Sequence, residues 1–279
     1  MASEKIYLLV IVVGTAWVYY WLGYQTYLRA FNGSLASVGF AVLANFFLLL
    51  LGWSIVSTVI TDPGKPPVFW GFFMDEPQNR RKRYCLTCHL FKPERCRHCS
   101  TCKRCVMGMD HHCPWLATCV GYYNRRFFIL TLTYATLAVW TVLLFNAPKV
   151  YRIVQHWRGL SSFSQVFQHK AYLGIVFTYC VIIFLAFVIT KFYIYHLRLV
   201  INNNTTLEDL QCQRAKEPIE TRFDIGLKRN IASVMGSNYL GWVLPITSLP
   251  MPSDGVVWIM NESSAATSGT QVDYVKVAQ

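Results

Sequence analysis

The chain has 279 residues, of which 54% are hydrophobic and only 14% charged, with a formal net charge of +12. So apolar a composition excludes an ordinary soluble protein and points to a membrane. The positive balance reads as membrane topology and as attraction to anionic lipid or phosphate, with nucleic-acid binding the weaker reading.

Four apolar stretches follow in chain order, at 6–28, 38–60, 127–147 and 172–195. Each is close to the ~20 residues that a helix needs to cross a bilayer. None holds an acidic residue, and Lys191 lies near a helix end, where its stem can snorkel. The first stretch exceeds the ~7–15-residue apolar core of a signal peptide and has no clear small-residue cleavage site. Loop 29–37 is short enough to make the first two spans a tight antiparallel hairpin, and the sequon at Asn32 lies too close to the membrane to favour a glycan.

Segment 61–126 carries twelve Lys and Arg, against one in 29–37 and four in 148–170. The positive-inside rule places it in the cytosol, and four spans then put both termini there too. Nine of the ten cysteines fall in cytosolic segments, with Cys180 inside the fourth span. A disulfide framework is disfavoured in that compartment, and metal is the better reading.

The expected fold is an α-helical polytopic membrane protein: four transmembrane helices with a cytosolic zinc-binding cysteine-rich domain between the second and third. Residues 1–60 hold helices 1 and 2, 61–126 the cysteine-rich domain, 127–197 helices 3 and 4, and 198–279 a cytosolic tail. "TDPGKPP" (61–67) stops the second helix through Pro63 and Gly64. In the tail, "NNNTTLEDL" (202–210) reads as a helix start. "RNIASVMGSNYLGWVLPI" (229–246) reads as an amphipathic or partly buried segment, and disorder is expected after about 250. No internal repeat is evident.

Zinc takes four soft or borderline ligands, commonly from C-x2-C pairs on tight turns. Cys85/Cys88, Cys99/Cys102 and Cys102/Cys105 are such pairs. Residues 85–119 offer twelve candidates: Cys85, Cys88, Cys96, Cys99, Cys102, Cys105, Cys113, Cys119, His89, His98, His111 and His112. Two four-coordinate zincs use eight, and arithmetic does not name the surplus; two all-cysteine sites are one solution.

Geometry bears on "DHHC" at 110–113. In an extended segment His111 and Cys113 share one face while His112 takes the other. If His112 binds metal from behind, His111 and Cys113 form a base and nucleophile in front, with Asp110 orienting the imidazole. A neighbouring imidazolium, basic residues and a divalent metal all favour a cysteine thiolate. The alternative makes Cys113 a ligand and His111 a surface imidazole.

At these residues the chain resembles the DHHC protein S-acyltransferases, or palmitoyltransferases. The pattern C-x2-C-x9-H-C-x2-C-x2-C-x4-D-H-H-C-x5-C-x4-N-x3-F runs without a gap from Cys85 to Phe128. "DPG" at 62–64, "TTLE" at 205–208 and the aromatic and asparagine segment Asn230 to Trp242 extend the likeness over most of 6–246.

The resemblance implies one structural zinc on Cys85, Cys88, His98 and Cys105 and a second on Cys99, Cys102, His112 and Cys119. It leaves Cys113 as acyl-accepting nucleophile, His111 as its base, and Asp110 polarising His111. It also implies a long-chain acyl-CoA such as palmitoyl-CoA as donor, and cysteines of membrane-associated proteins as acceptors. Arg83, Lys92 and Arg97 match basic positions near the family's CoA site. Trp115 would line the mouth of an acyl cavity, Phe128 is a further contact, and Thr206 would approach Asp110. Cys96 departs from the family, which usually has a small or polar residue there; silent packing, secondary acylation and an alternative ligand are its readings.

A 16-carbon chain in water carries a penalty of about 0.8 kcal/mol per methylene, so it belongs between the helices. Thr131, Ala135 and Ala138 place small residues on one face of the third span, as depth for a chain or as close helix packing. The rival function is a membrane-anchored zinc-binding adaptor without catalysis. A transporter is disfavoured by spans that lack mid-membrane ionisable residues. Golgi, endoplasmic reticulum, vacuole and plasma membrane all fit the sequence.

Overall fold

The computed structural model describes residues 35–71, 83–159, 170–216, 222–247 and 250–261, together with Gly14. The expected span 6–28 apart from Gly14, the Asn32 sequon and the chain after 261 lie outside the described residues.

Three long helices, α1 Leu35–Ile60, α2 Arg125–Arg158 and α3 Lys170–Ile201, are each long and apolar enough to cross a membrane. They correspond to the second, third and fourth expected spans. Helices α2 and α3 run past the expected ends at 147 and 195, because hydropathy marks where lipid-compatible side chains stop, whereas the hydrogen-bond ladder continues. Helix α2 passes through Pro148.

Helix α2 packs against both α1 and α3. Phe40 stacks on Phe145 at 3.8 Å, the Tyr179 hydroxyl donates to the Leu143 carbonyl at 3.1 Å, and Trp140 Nε1 donates to Thr190 Oγ1 at 3.0 Å. Leu49, Leu144, Phe177 and Phe184 stay exposed on the outer faces. In helices whose backbone groups are satisfied internally, that suits a lipid solvent. Thr131 Oγ1 lies 3.4 Å from Thr58 Oγ1, so the small-residue face of α2 meets α1 there, and Ala138 further along it is buried.

The tail folds onto one end of this bundle. Helix α4 (Thr206–Ala215) starts with a complete capping box: Thr205 accepts from the Glu208 N–H, and Glu208 accepts from the Thr205 N–H. Helix α5 (Leu227–Met235) and a 3-10 turn at Tyr239–Trp242 follow. Val234 and Met235 join Leu50, Ile129, Leu130, Tyr134 and Val200 in a core shared by α5 and the three long helices. Asn230 Nδ2 donates to the Ile201 carbonyl at 2.6 Å, securing the tail to the end of α3.

Residues 250–261 fold back over the cysteine-rich module. The Tyr122 hydroxyl donates to the Ser253 carbonyl at 2.9 Å, Trp258 meets Tyr122 edge-on at 5.4 Å, and the Asn261 N–H donates to the Arg222 carbonyl at 2.9 Å. Gly255 makes the turn possible: its φ is +76°, and a Cβ there would lie 2.6 Å from the Tyr122 ring.

"DPG" joins the end of α1 to the module. Asp62 makes a bidentate pair with Arg104 at 2.7 and 2.8 Å. The Gly64 and Pro63 carbonyls accept from the N–H groups of Met107 at 3.1 Å and Tyr123 at 3.4 Å. Gly121 is required opposite them, since a Cβ would come within 2.7 Å of the Pro63 oxygen.

Candidate active site and metal clusters

Six short strands make three antiparallel hairpins. Strand β1 (Tyr84–Cys85) pairs with β2 (Leu90–Phe91), β3 (Arg97–Cys99) with β4 (Arg104–Val106), and β5 (His111–Cys113) with β6 (Thr118–Val120). Their registers correspond: Tyr84 faces Phe91, His98 faces Cys105, and His112 faces Cys119. Each turn holds a left-handed residue at the same place, His89, Lys103 and Ala117, with φ of 54°, 53° and 51°. From hairpin to hairpin the numbering advances by 14, through Cys85, Cys99 and Cys113. The module is therefore a threefold repeat, where the sequence shows none; "YCLTCHLF", "HCSTCKRC" and "HCPWLATC" share backbone geometry and few residues.

Strand alternation decides which way each ligand faces. His98 and Cys105 turn back toward Cys85 and Cys88 of the preceding hairpin, with His98 Nδ1 at 3.6, 3.3 and 3.9 Å from the sulfurs of Cys85, Cys88 and Cys105. His112 and Cys119 turn toward Cys99 and Cys102 in the same way, with His112 Nδ1 at 3.7, 3.4 and 3.6 Å from the sulfurs of Cys99, Cys102 and Cys119. Zn–S bonds of about 2.3 Å and Zn–N bonds of about 2.0 Å in a tetrahedron separate S and N by roughly 3.5 Å. Both donor sets fit that ion. Burial and the neighbouring thiols push the Cys105 and Cys119 thiols up, so three sulfurs can carry charge together only around a cation.

The third hairpin breaks the pattern. Leu116 stands where the other turns have Cys88 and Cys102, and α2 begins at Arg125 in place of a fourth hairpin. Cys113, the positional counterpart of Cys85 and Cys99, belongs to neither ligand cluster. It packs with Leu116, Val120, Phe128 and Leu132, against Ile55 and Tyr193, where α1, α2 and α3 meet. Asn124 locks this junction: it accepts from the Gly121 N–H and donates to the Thr58 and Cys119 carbonyls at 3.0 and 2.9 Å.

As expected of an extended segment, His111 and Cys113 flank the oppositely directed His112 on one strand. Asp110 Oδ2 accepts from His111 Nδ1 at 2.7 Å and from Thr206 Oγ1 at 2.7 Å. Its Oδ1 accepts from the Thr206 N–H at 3.1 Å and pairs with Arg125 at 3.2 Å. Asp110 is fully buried, which disfavours its charge, yet Arg125 and His111 hold the carboxyl well below the usual range. Burial pulls His111 down, but its bonds to Asp110 and Cys113 outweigh that and raise it to about 9. The resulting arrangement is an imidazole fixed at one nitrogen by a buried carboxylate and engaged with a thiol.

The other expected site residues divide. Thr206 reaches Asp110. Phe128 is buried and packs edge-on against the His111 ring at 5.0 Å, walling that imidazole. Trp115 projects from the third turn, about half exposed. Arg83, Lys92 and Arg97 come together around a polar cavity of about 270 Å³ that Arg95, Arg222 and Glu208 also line. Glu94 bridges Arg83 and Arg222 at 3.1 and 2.8 Å. Cys96 is buried beside Cys85 and Cys105 outside both ligand sets, and burial pushes its thiol up to about 12.

Sequence reasoning missed three residues. Arg125 donates to the Asn204 carbonyl at 2.6 Å besides pairing with Asp110. Arg95 pairs with Glu208 at 2.8 and 2.7 Å, bonds Asn203, and lies over the Phe223 and Trp258 rings. His196 stands one residue past the expected end of the last span, and an ionisable residue on such a helix was the available signal.

Comparisons with known proteins agree with this geometry. Residues 78–213 match the model of the DHHC palmitoyltransferase family. A protein of Arabidopsis thaliana named probable protein S-acyltransferase 14 is 34% identical over 235 residues, covering 76% of this chain and 73% of its own. Palmitoyltransferase ZDHHC15 of Rattus norvegicus is 30% identical over 282 residues, covering 87% of this chain and 78% of its own. Palmitoyltransferase PFA3 of Debaryomyces hansenii is 32% identical over 203 residues, covering 65% and 48%. With its ligand clusters, its Asp110–His111–Cys113 constellation and these relatives, the chain belongs to the DHHC palmitoyltransferase family.

Proposed function

We propose that this protein S-acyltransferase takes a long-chain acyl group from acyl-CoA onto Cys113 and passes it to cysteines of membrane-associated proteins. The observation that carries the reading is that Cys113 stands outside both Cys/His clusters, on one short strand with His111, where three apolar helices meet.

In the first step the Cys113 sulfur attacks the thioester carbonyl carbon of acyl-CoA, the C–S bond to CoA breaks, and the CoA thiolate takes the proton held by His111. In the second, His111 removes the proton of an acceptor thiol, whose sulfur attacks the acyl-enzyme and expels the Cys113 thiolate. One thioester replaces another, so neither ATP nor a redox partner is consumed. Asp110 keeps His111 in the tautomer and orientation that both steps need.

Zinc on Cys85, Cys88, His98 and Cys105, and on Cys99, Cys102, His112 and Cys119, would pin the hairpins and leave no open position for water. The basic cavity at Arg83, Lys92 and Arg97 suits the CoA phosphates. Trp115, Phe128 and the helix junction suit the acyl chain. A span at 6–28, with both termini and Cys113 on the cytosolic side, completes the arrangement.

Incubation of the purified protein with labelled palmitoyl-CoA tests this reading. A hydroxylamine-labile label should appear on the protein and vanish in Cys113→Ser with metal content unchanged at two zinc per chain. Loss of a zinc from Cys113→Ser would instead make Cys113 a ligand and favour the adaptor.

A further inference from the structure

His196 has no part in the steps above, yet it is among the most buried side chains described, at 1% exposure. It lies in the last turns of α3, and its ring closes a triangle with the rings of His111 and Phe128. The centroids are 5.6 Å from His196 to His111, 5.1 Å from His196 to Phe128 and 5.0 Å from His111 to Phe128. Phe192 and Tyr195 pack against it edge-on at 4.5 and 5.4 Å.

Two further observations separate His196 from a packing residue. Its Nδ1 is buried without a hydrogen-bond partner among the described residues, an uncommon and costly condition for a polar atom. That same atom lies 3.8 Å from Asp110 Oδ2, the oxygen that binds both His111 and Thr206. A buried imidazole at this distance from a buried carboxylate is oriented by it and adds to the field around it.

We propose that His196 is a positioning residue for the Asp110–His111 pair. As the neutral Nδ1–H tautomer it directs a third donor at Asp110 Oδ2, and with Phe128 it bounds the His111 ring. The imidazole then keeps Nδ1 on Asp110 and its other nitrogen available to Cys113. His196 touches neither thioester nor thiol, and it acts through Asp110 and His111. The inference rests on the acyl-transfer reading of that pair.

The test follows the rate of acyl-enzyme formation from palmitoyl-CoA in full-length wild type, His196→Ala, His196→Asn and His196→Phe, with zinc content measured in each. Asparagine places an N–H near the position of Nδ1; phenylalanine fills the space and offers no donor. We expect His196→Ala to lower the maximal rate by about tenfold or more, a scale set by effects on general-base steps. The KM for acyl-CoA should stay within about twofold, because no substrate contact is removed. Asn should recover most of the rate and Phe should not.

Recovery by Phe and not by Asn would overturn the inference, as would a wild-type rate in His196→Ala. Should His196→Ala lose zinc or unfold, the two space-filling variants still decide between donor and packing. Absence of acyl-enzyme in the wild type itself would sink the acyl-transfer reading, a result distinct from any pattern among the variants.

Discussion

Thr206 binds Asp110 twice, by its backbone N–H at 3.1 Å and its hydroxyl at 2.7 Å. The first residue of α4 thus caps the carboxylate that orients His111, and the capping box of Thr205 and Glu208 holds that N–H in place. A helix start directed at an anion also contributes its partial positive charge.

Replacing Thr206 by Val keeps the shape and the backbone donor and deletes the hydroxyl bond to a charged acceptor, worth about 1.5–3 kcal/mol. The expected result is a fall of about tenfold or more in acyl-enzyme formation, with Thr206→Ser near wild type. Stopped-flow or quenched single-turnover assays with palmitoyl-CoA provide the measurement, and equal rates in Val and Ser variants would contradict it.

Arg95 and Glu208 form a pair almost entirely withdrawn from solvent, at 1% and 9% side-chain exposure. Glu208→Gln leaves the Arg95 charge buried without its partner, which costs about 3–5 kcal/mol. Thermal unfolding in detergent should show a large loss of stability.

The same pair sets an acid limit. Burial would raise the Glu208 carboxyl, but Arg95 and the Thr205 N–H hold it below the ordinary range. A carboxyl lowered on folding contributes stability that is complete above its unfolded pKa of about 4.3. That stability is lost as pH falls through the folded value. Melting temperature should therefore drop below about pH 4 in the wild type and drop less in Glu208→Gln.

Metal removal should act unequally on the two clusters. His98→Ala disconnects the first hairpin from the second, whereas His112→Ala frees the β5–β6 hairpin that carries His111 and Cys113. Each variant should retain one zinc by elemental analysis, and both should be less stable, since metal-binding energy is folding energy. Acyl-enzyme formation should be abolished in His112→Ala and partly kept in His98→Ala. The reverse order would contradict the assignment of His112 behind the reacting pair.

Ala138 is buried on the α2 face that carries Thr131. If that face sets acyl depth, Ala138→Phe should move the preference among C12 to C18 acyl-CoAs toward shorter chains. An unchanged chain-length profile, with lower stability, would assign the face to packing against its neighbours.

Much of this was legible one residue at a time. Apolar runs, C-x2-C pairs and the TTLE cap are local signals: the second, third and fourth runs became α1, α2 and α3, Cys85/Cys88 and Cys99/Cys102 bracket hairpin turns, and α4 starts at its Thr205 cap. Alternation along His111–Cys113 follows from the two-residue period of an extended chain. At residues 250–261 composition does not reveal that Gly255 turns the chain so that Tyr122 and Trp258 can meet.

The sequence by itself supplied the chemistry present: twelve cysteine and histidine candidates within 85–119, and an Asp-His-His-Cys run in a fixed local order, beside apolar stretches that suit lipid. Only the tertiary structure decided their neighbours. Arg125, Thr206 and His196 converge on Asp110 from the start of α2, the start of α4 and the end of α3. Such convergence depends on how helices pack, and no local spacing encodes it. The repeat was hidden for a related reason, since three hairpins can share register and turn geometry while Leu116 replaces a ligand. With Leu116 there, Cys113 packs among the helices and outside both Cys/His clusters.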